Sequence, residues 1–221
     1  MSFNLLAPHY RWIEFVSAGD KLQQCRTALL GRVAKSKRIL ILGEGNGRFI
    51  LECRRKLPTA KITCVDASAR MLSLARRRLV GQGVSCEEIN FICADALAWT
   101  PPEREFDLIV THFFLDCFRR EQVEALIAKL ARAAAPGANW LLADFQVAPG
   151  GLSRHRSRVI LWMLYRFFRI TTQLPGAELI PPDDFLQRNG FELKKRQVYD
   201  WGLLHSDWWQ LGESFLKQDC A

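Results

Sequence analysis

The run Arg38-Ile-Leu-Ile-Leu-Gly43 passes directly into Glu44-Gly45-Asn46-Gly47-Arg48-Phe49-Ile50, so an apolar stretch too short for a helix is halted by three alternating glycines. A short continuous apolar run bounded by glycine is the pattern of a strand buried on both faces. Glycine at 43, 45 and 47 lets the backbone turn tightly and approach a ligand that larger side chains would push away. A nicotinamide-type dinucleotide fingerprint spaces its glycines G-x-G-x-x-G and would need one at position 48, where this chain has Arg48. The spacing here is a different motif.

The strand design of 38–43 recurs at 61–66, 90–95, 106–111 and 139–144, each run ending in a residue that can present its backbone or a polar side chain at the strand's carboxyl edge. Between them, 48–56, 68–80 and 121–134 read as helices, the last with Val123, Leu126, Ile127 and Leu130 at helical spacing and with Ala135-Pro136-Gly137 as its terminating turn. Strands alternating with helices predict an α/β fold with a doubly wound, mostly parallel sheet, whose ligands bind at the strands' carboxyl ends. Ahead of it, 8–16 and 20–33 read as helices. Behind it come a long aromatic and basic helix over 151–170, a short helix near 182–188, and a closing hairpin of 191–199 and 202–209, for seven strands in all.

With 221 residues, 49% hydrophobic and 24% charged, the chain predicts one ordinary domain and excludes a disordered or membrane-embedded class. The densest apolar stretch, 159–168, contains Arg166 and falls short of the ~20 residues a bilayer span needs. Seven scattered cysteines without a C-x-x-C pair read as reduced thiols rather than disulfides or a metal centre, and the start shows no basic segment leading into an apolar one, so a cytoplasmic location is expected. A net charge of +8 is consistent with an anionic partner, either nucleic acid or a phospholipid surface.

On the glycine loop and the acids that follow it, the chain resembles the class I S-adenosylmethionine-dependent methyltransferases over about 36–145. The resemblance implies S-adenosylmethionine as cofactor. The loop of Gly43, Glu44, Gly45 and Gly47 would pass under its methionyl part, Asp66 would grip the ribose hydroxyls, and Asp95 would meet the adenine amine. Ala67, Met71, Ala96, Thr111 and His112 are expected to line the same site, with Tyr10, in Ala7-Pro8-His9-Tyr10-Arg11-Trp12, as a lid. The physical warrant for Asp66 is independent of the family, since an ionised carboxylate can accept from two vicinal hydroxyls. Many family members carry an acid two residues before the first glycine. This chain has Ile41 there, which leaves the methionyl amine to backbone carbonyls near Gly43 or Thr111, or to Glu44.

Phe106-Asp-Leu-Ile-Val-Thr111-His112-Phe-Phe-Leu-Asp116-Cys117 occupies the family's fourth motif. It lacks the [N/D]-P-P-[Y/F] tetrapeptide of enzymes acting on exocyclic adenine amines, and Cys117 follows Asp116 rather than the proline of the cytosine-C5 enzymes. His112 is a candidate general base, with Asp116 and Asp144 as rivals. The carboxyl end, including Ala143-Asp144-Phe145 and Leu179-Ile-Pro-Pro-Asp-Asp-Phe-Leu-Gln-Arg-Asn-Gly-Phe191, looks loosely like the ubiquinone and menaquinone biosynthesis methyltransferases, which implies a small, apolar or aromatic acceptor. The organisation expected is a helical lid over 1–35, a cofactor-binding core over 36–145 and a substrate side over 146–221. Arg154 to Arg169 could cover an apolar pocket, lie on an anionic membrane, or track RNA phosphates. Methylation of tRNA or rRNA and a non-catalytic scaffold subunit are the alternative functions.

Overall fold

The computed structural model describes residues 19–172 and 179–212, and of 163–172 the backbone alone. Tyr10 and the helix expected over 8–16 lie outside the described residues. The chain runs α1 (Gly19–Thr27), β1 (Arg38–Leu42), α2 (Arg48–Lys56), β2 (Lys61–Asp66), α3 (Ala69–Gly81), β3 (Ile89–Cys93), β4 (Phe106–His112), α4 (Arg120–Ala133), β5 (Ala134–Phe145), α5 (Gly151–Thr172), α6 (Asp183–Arg188), β6 (Phe191–Tyr199) and β7 (Leu204–Leu211). The strands form one sheet in the order β3-β2-β1-β4-β5-β7-β6. The first five are parallel, and β7 runs antiparallel to both its neighbours.

Because side chains alternate across a strand, β1 feeds two cores. Leu40 and Leu42 pack with Val123, Leu126, Ile127 and Leu130 of α4, while Ile39 and Ile41 face Phe49, Ile50 and Cys53 of α2 and Leu72 and Leu79 of α3. Each of these aliphatic side chains, fully removed from water, contributes about 1.5–3 kcal/mol, which is why the central strands read as continuous apolar runs. A third cluster gathers Leu22 and Cys25 of α1, Ala143 and Phe145 of β5, Leu161 of α5, and Leu203 and Leu204.

From β1 the connections move outward to β2 and β3, whereas β4 leads to β5 on the other side. The winding therefore reverses between β1 and β4, and a crevice opens at their carboxyl ends. Gly43 follows one of these strands and Phe113 the other.

Three local expectations are corrected. The helix expected over 20–33 breaks after Thr27, whose hydroxyl donates back to the Gln23 carbonyl at 2.9 Å, and resumes as a 3-10 turn at Leu30–Val33. Residues 135–137 do not end a helix by a turn. β5 starts at Ala134, and Gly137, at φ +69°, lies in a register shift where the pairing passes from Phe106–Ala134 to Leu108–Asn139. Gly202 is not in a strand, because Asp200, Trp201 and Gly202 stand at φ +46°, +58° and +88°, a left-handed knuckle that no extended chain can share.

The outer strand β6 is bulged: Leu193 and Lys195 oppose the consecutive Trp209 and Trp208, leaving Lys194 outside the ladder. Next to it Arg196 forms a fork on the fully buried Asp207, with Nε and Nη2 at 2.8 and 2.6 Å, and also reaches Asp183 of α6 at 2.7 Å.

Candidate functional site

The loop after β1 is left-handed at all three glycines, with φ +65° at Gly43, +73° at Gly45 and +83° at Gly47. A side chain at 47 would stand 2.7 Å from the Ala75 Cα, so close packing of the loop on α3 demands that glycine. A side chain at 43 would overlap the ring of Phe114. That ring is brought there by the end of β4: the Phe113 N–H donates to the Ala143 carbonyl at 2.7 Å, Phe113 itself takes φ +52°, and the chain folds back over the first glycine.

Glu44 does not offer its full carboxylate to the crevice. Its Oε1 accepts from the N–H groups of Phe49 and Ile50 at 2.9 and 3.4 Å, capping the first turn of α2. Burial raises its pKa to about 7 against the opposing charge of Arg26 and those two amides.

At the end of β2, Asp66 Oδ1 accepts from the Ser68 N–H at 2.8 Å, and the Gly45 amide also hydrogen-bonds this carboxylate. Burial raises its pKa while the two amides hold it down. Asp66 thus lies against the glycine loop. The helix cap is Ser68, whose Oγ accepts from the Met71 N–H at 3.3 Å. Met71 is buried, and Ala67 beside it is exposed. Beyond β3, Asp95 is exposed and folds its Oδ1 onto the Leu97 N–H at 2.9 Å. The loop it begins is fastened by Lys129 of α4, whose ammonium donates to the carbonyls of Ala96, Leu97 and Trp99 at 2.8, 2.7 and 2.9 Å. No spacing in the sequence marks Lys129 for this role.

The end of β4 carries the remaining candidates. The Thr111 hydroxyl accepts from the Trp140 indole at 2.8 Å, so this side chain is spent on the core. His112 is 7% exposed, its Nε2 has no hydrogen-bond partner, and the ring meets Phe49 edge-on at 4.5 Å. Burial, aided by the charge of Arg26, pushes its pKa well below the usual imidazole range, so it is neutral at pH 7. Burial also raises Asp116 to about 6, and raises Asp144 further because Asp116 lies close by. Asp144 Oδ1 accepts from the Phe145 N–H at 2.8 Å. The thiol of Cys117, 3.6 Å from Asp116 Oδ1, feels Asp116, Asp144 and Asp66 together, so three carboxylates converge where the strands end.

Arg26 was not read from the sequence. It is buried, lies 5.3 Å from the Phe113 ring centroid, and is felt by both Glu44 and His112. Its position on the stripe of Leu22, Cys25 and Leu29, all buried, is the signal: a cation at helical spacing among apolar residues.

These features fit a polar, nucleoside-bearing ligand in part. Gly43 and Gly47 are already explained by their packing, and Glu44 by its helix, whereas the orphaned Nε2 of His112 and the carboxylate of Asp66 beside the loop amides are not needed by the core.

A model of the methyltransferase domain matches residues 39–137. A demethylmenaquinone methyltransferase of Deinococcus radiodurans is 30% identical over 152 residues, 68% of this chain and 61% of that protein. A release factor glutamine methyltransferase of Chlorobaculum tepidum is 39% identical over 82 residues, 36% of this chain and 28% of that protein. The chain therefore spans less than two thirds of either relative. The fold is shared with an S-adenosylmethionine-dependent methyltransferase of Methanosarcina mazei, at TM-score 0.62 and 20% identity over 83% of this chain and 96% of that one. The chain is thus similar to the methyltransferase domain over 39–137, on a sheet shared with a solved S-adenosylmethionine-dependent methyltransferase, and has a loose likeness to a demethylmenaquinone methyltransferase.

Proposed function

We propose that the chain binds S-adenosylmethionine in the crevice between β1 and β4 and transfers its methyl group, by in-line displacement, to a small apolar or aromatic acceptor. The observation that carries the reading is the meeting of Asp66, Asp116, Asp144 and the orphaned imidazole of His112 at the carboxyl ends of the strands of a methyltransferase domain. The name of the demethylmenaquinone relative supports a lipophilic acceptor.

S-adenosylmethionine supplies a methyl group activated on a sulfonium. Asp66 would accept from the ribose hydroxyls, Asp95, on the loop braced by Lys129, would meet the adenine amine, and Arg26 would offer a cation to the methionyl carboxylate. Asp116, with a pKa of about 6, is ionised at neutral pH yet close enough to it to take a proton from the acceptor, so it is the best matched base. His112, neutral, orients the acceptor's oxygen or ring through Nε2. Asp144 tunes Asp116 by its charge. In this reading 36–145 is the cofactor-binding core, 146–221 is the substrate side, and 1–35 is the helical lid, whose Tyr10 lies outside the described residues.

Isothermal titration with S-adenosylhomocysteine tests the first half. A single site lost on Asp66→Ala is expected, and absence of binding by a folded sample rejects the reading.

A further inference from the structure

We propose that the knuckle at Asp200–Gly202 and the first turns of α5 form a docking surface for an anionic lipid bilayer. The membrane's purpose here rests on the reading of a lipophilic acceptor, but the surface stands on its own geometry. Trp201 is 78% exposed and Leu152 is 90% exposed, with Val159 at 42% and Val147 at 39%. One ion pair brings them together. Arg156 Nη2 lies 3.0 Å from Asp200 Oδ2, and its Nη1 donates to the Asp200 carbonyl at 3.2 Å. Leu152 and Val159 sit four residues before and three after Arg156, on the same side of α5. Val147 precedes Ala148, whose Cβ would stand 2.9 Å from a side chain at Gly202.

The knuckle is held against its own strain. Two consecutive non-glycine residues at φ +46° and +58° are unfavourable, and they persist because Lys21, at 2.7 Å, and Arg156 clamp Asp200 from two helices. What the strain achieves is an indole presented to solvent rather than packed in the core. An indole with an apolar body and one N–H donor suits the bilayer interface.

The charge around this patch selects the lipid. The 22 residues of α5 contain no acid, and Arg154, His155, Arg156 and Arg158 are exposed at its start. Arg154 and Arg158 have no ion-pair partner among the described residues, and Asp200 is already engaged by two cations. The patch also stands on the working edge of the sheet, since Leu204, two residues past the knuckle, pairs with Phe145 at the carboxyl end of β5, next to Asp144. A lipophilic acceptor leaving the bilayer would arrive on the side where the carboxylates converge. No helix among the described residues is long and apolar enough to cross a membrane, so contact at this face is a surface association.

Sedimentation with phosphatidylcholine vesicles, with and without phosphatidylglycerol, tests the proposal on the full chain. The protein should pellet with the anionic vesicles and release with salt. Trp201→Ala with Leu152→Ser should lower the partition coefficient more than about tenfold, since two interfacial apolar anchors are lost. Arg154→Gln with Arg158→Gln should remove the preference for phosphatidylglycerol. Trp201→Phe should reduce a blue shift of indole emission on vesicle addition while leaving the fold intact. Thermal midpoints and S-adenosylhomocysteine affinity of the variants should match the parent, which separates loss of docking from loss of the cofactor site. Failure to bind either vesicle, binding unchanged by the Trp201 and Leu152 pair, or a homodimer that this pair dissociates would each overturn the proposal. So would an RNA complex that depends on Trp201 in the absence of vesicle binding.

Discussion

Phe114 is the most direct point at which to test the crevice. Its half-buried ring covers Gly43 and meets Phe118 edge-on at 5.1 Å, so a ligand approaching the first glycine must displace it. Half the burial of a phenylalanine is worth about 1 kcal/mol and an aromatic pair about another 1, so the ring taxes binding by about 2 kcal/mol. Phe114→Ala should therefore bind S-adenosylhomocysteine about 30-fold tighter by isothermal titration while unfolding at lower temperature. Gly43→Ala sharpens the test. In the parent it meets both the ring and the cost of a φ near +65°; in the Phe114→Ala background only the backbone cost, about 1–2 kcal/mol, is left. The two substitutions should thus couple by at least about 1 kcal/mol in denaturant melts. Weaker ligand binding by Phe114→Ala, or an equal penalty for Gly43→Ala in both backgrounds, refutes the argument.

Asp66→Asn should weaken S-adenosylhomocysteine about 10- to 100-fold, as charge-assisted hydrogen bonds are lost, with a small change in midpoint because an amide oxygen still accepts from Ser68. Lys129→Met leaves three carbonyls without their donor and should cost about 2 kcal/mol in denaturant unfolding, with slower proteolysis of the Ala96–Trp99 loop sinking the assignment. Asp116 is held protonated to a higher pH in the folded state, about 6 against 3.8, so its contribution to stability is present below pH 4 and lost as pH rises towards 6. The advantage of Asp116→Asn over the parent should therefore widen by about 2 kcal/mol between pH 4.5 and 6 and stay level above, and a level difference throughout would refute the buried carboxyl.

The strands of the core were legible because burial on both faces leaves no room for polar residues, and the loop because left-handed turns need glycine. Asp66 was legible for a different reason: an acid one strand and one helix beyond the loop reaches the neighbouring strand end. Glu44 was ambiguous, since the same carboxylate can serve a ligand or the amides of α2, and the course of the helix commits its Oε1 to the latter. The knuckle at 200–202 was hidden because Trp201 is a residue type that seldom takes positive φ, and the clamp that holds the turn comes from Lys21 and Arg156, 179 and 44 residues away from Asp200. Phe114 reads as one more apolar residue after β4, and its place over Gly43 depends on the turn at Phe113.

The bulge in β6 has a bearing on how the molecule behaves when crowded. An open sheet rim offers amides and carbonyls to any extended neighbour, and a second copy is the neighbour nearest to hand. Lys194 stands out of the ladder there and Lys195 follows it, so a strand trying to add itself would meet a misaligned template and two lysines. Fibrous growth along this rim is thereby discouraged.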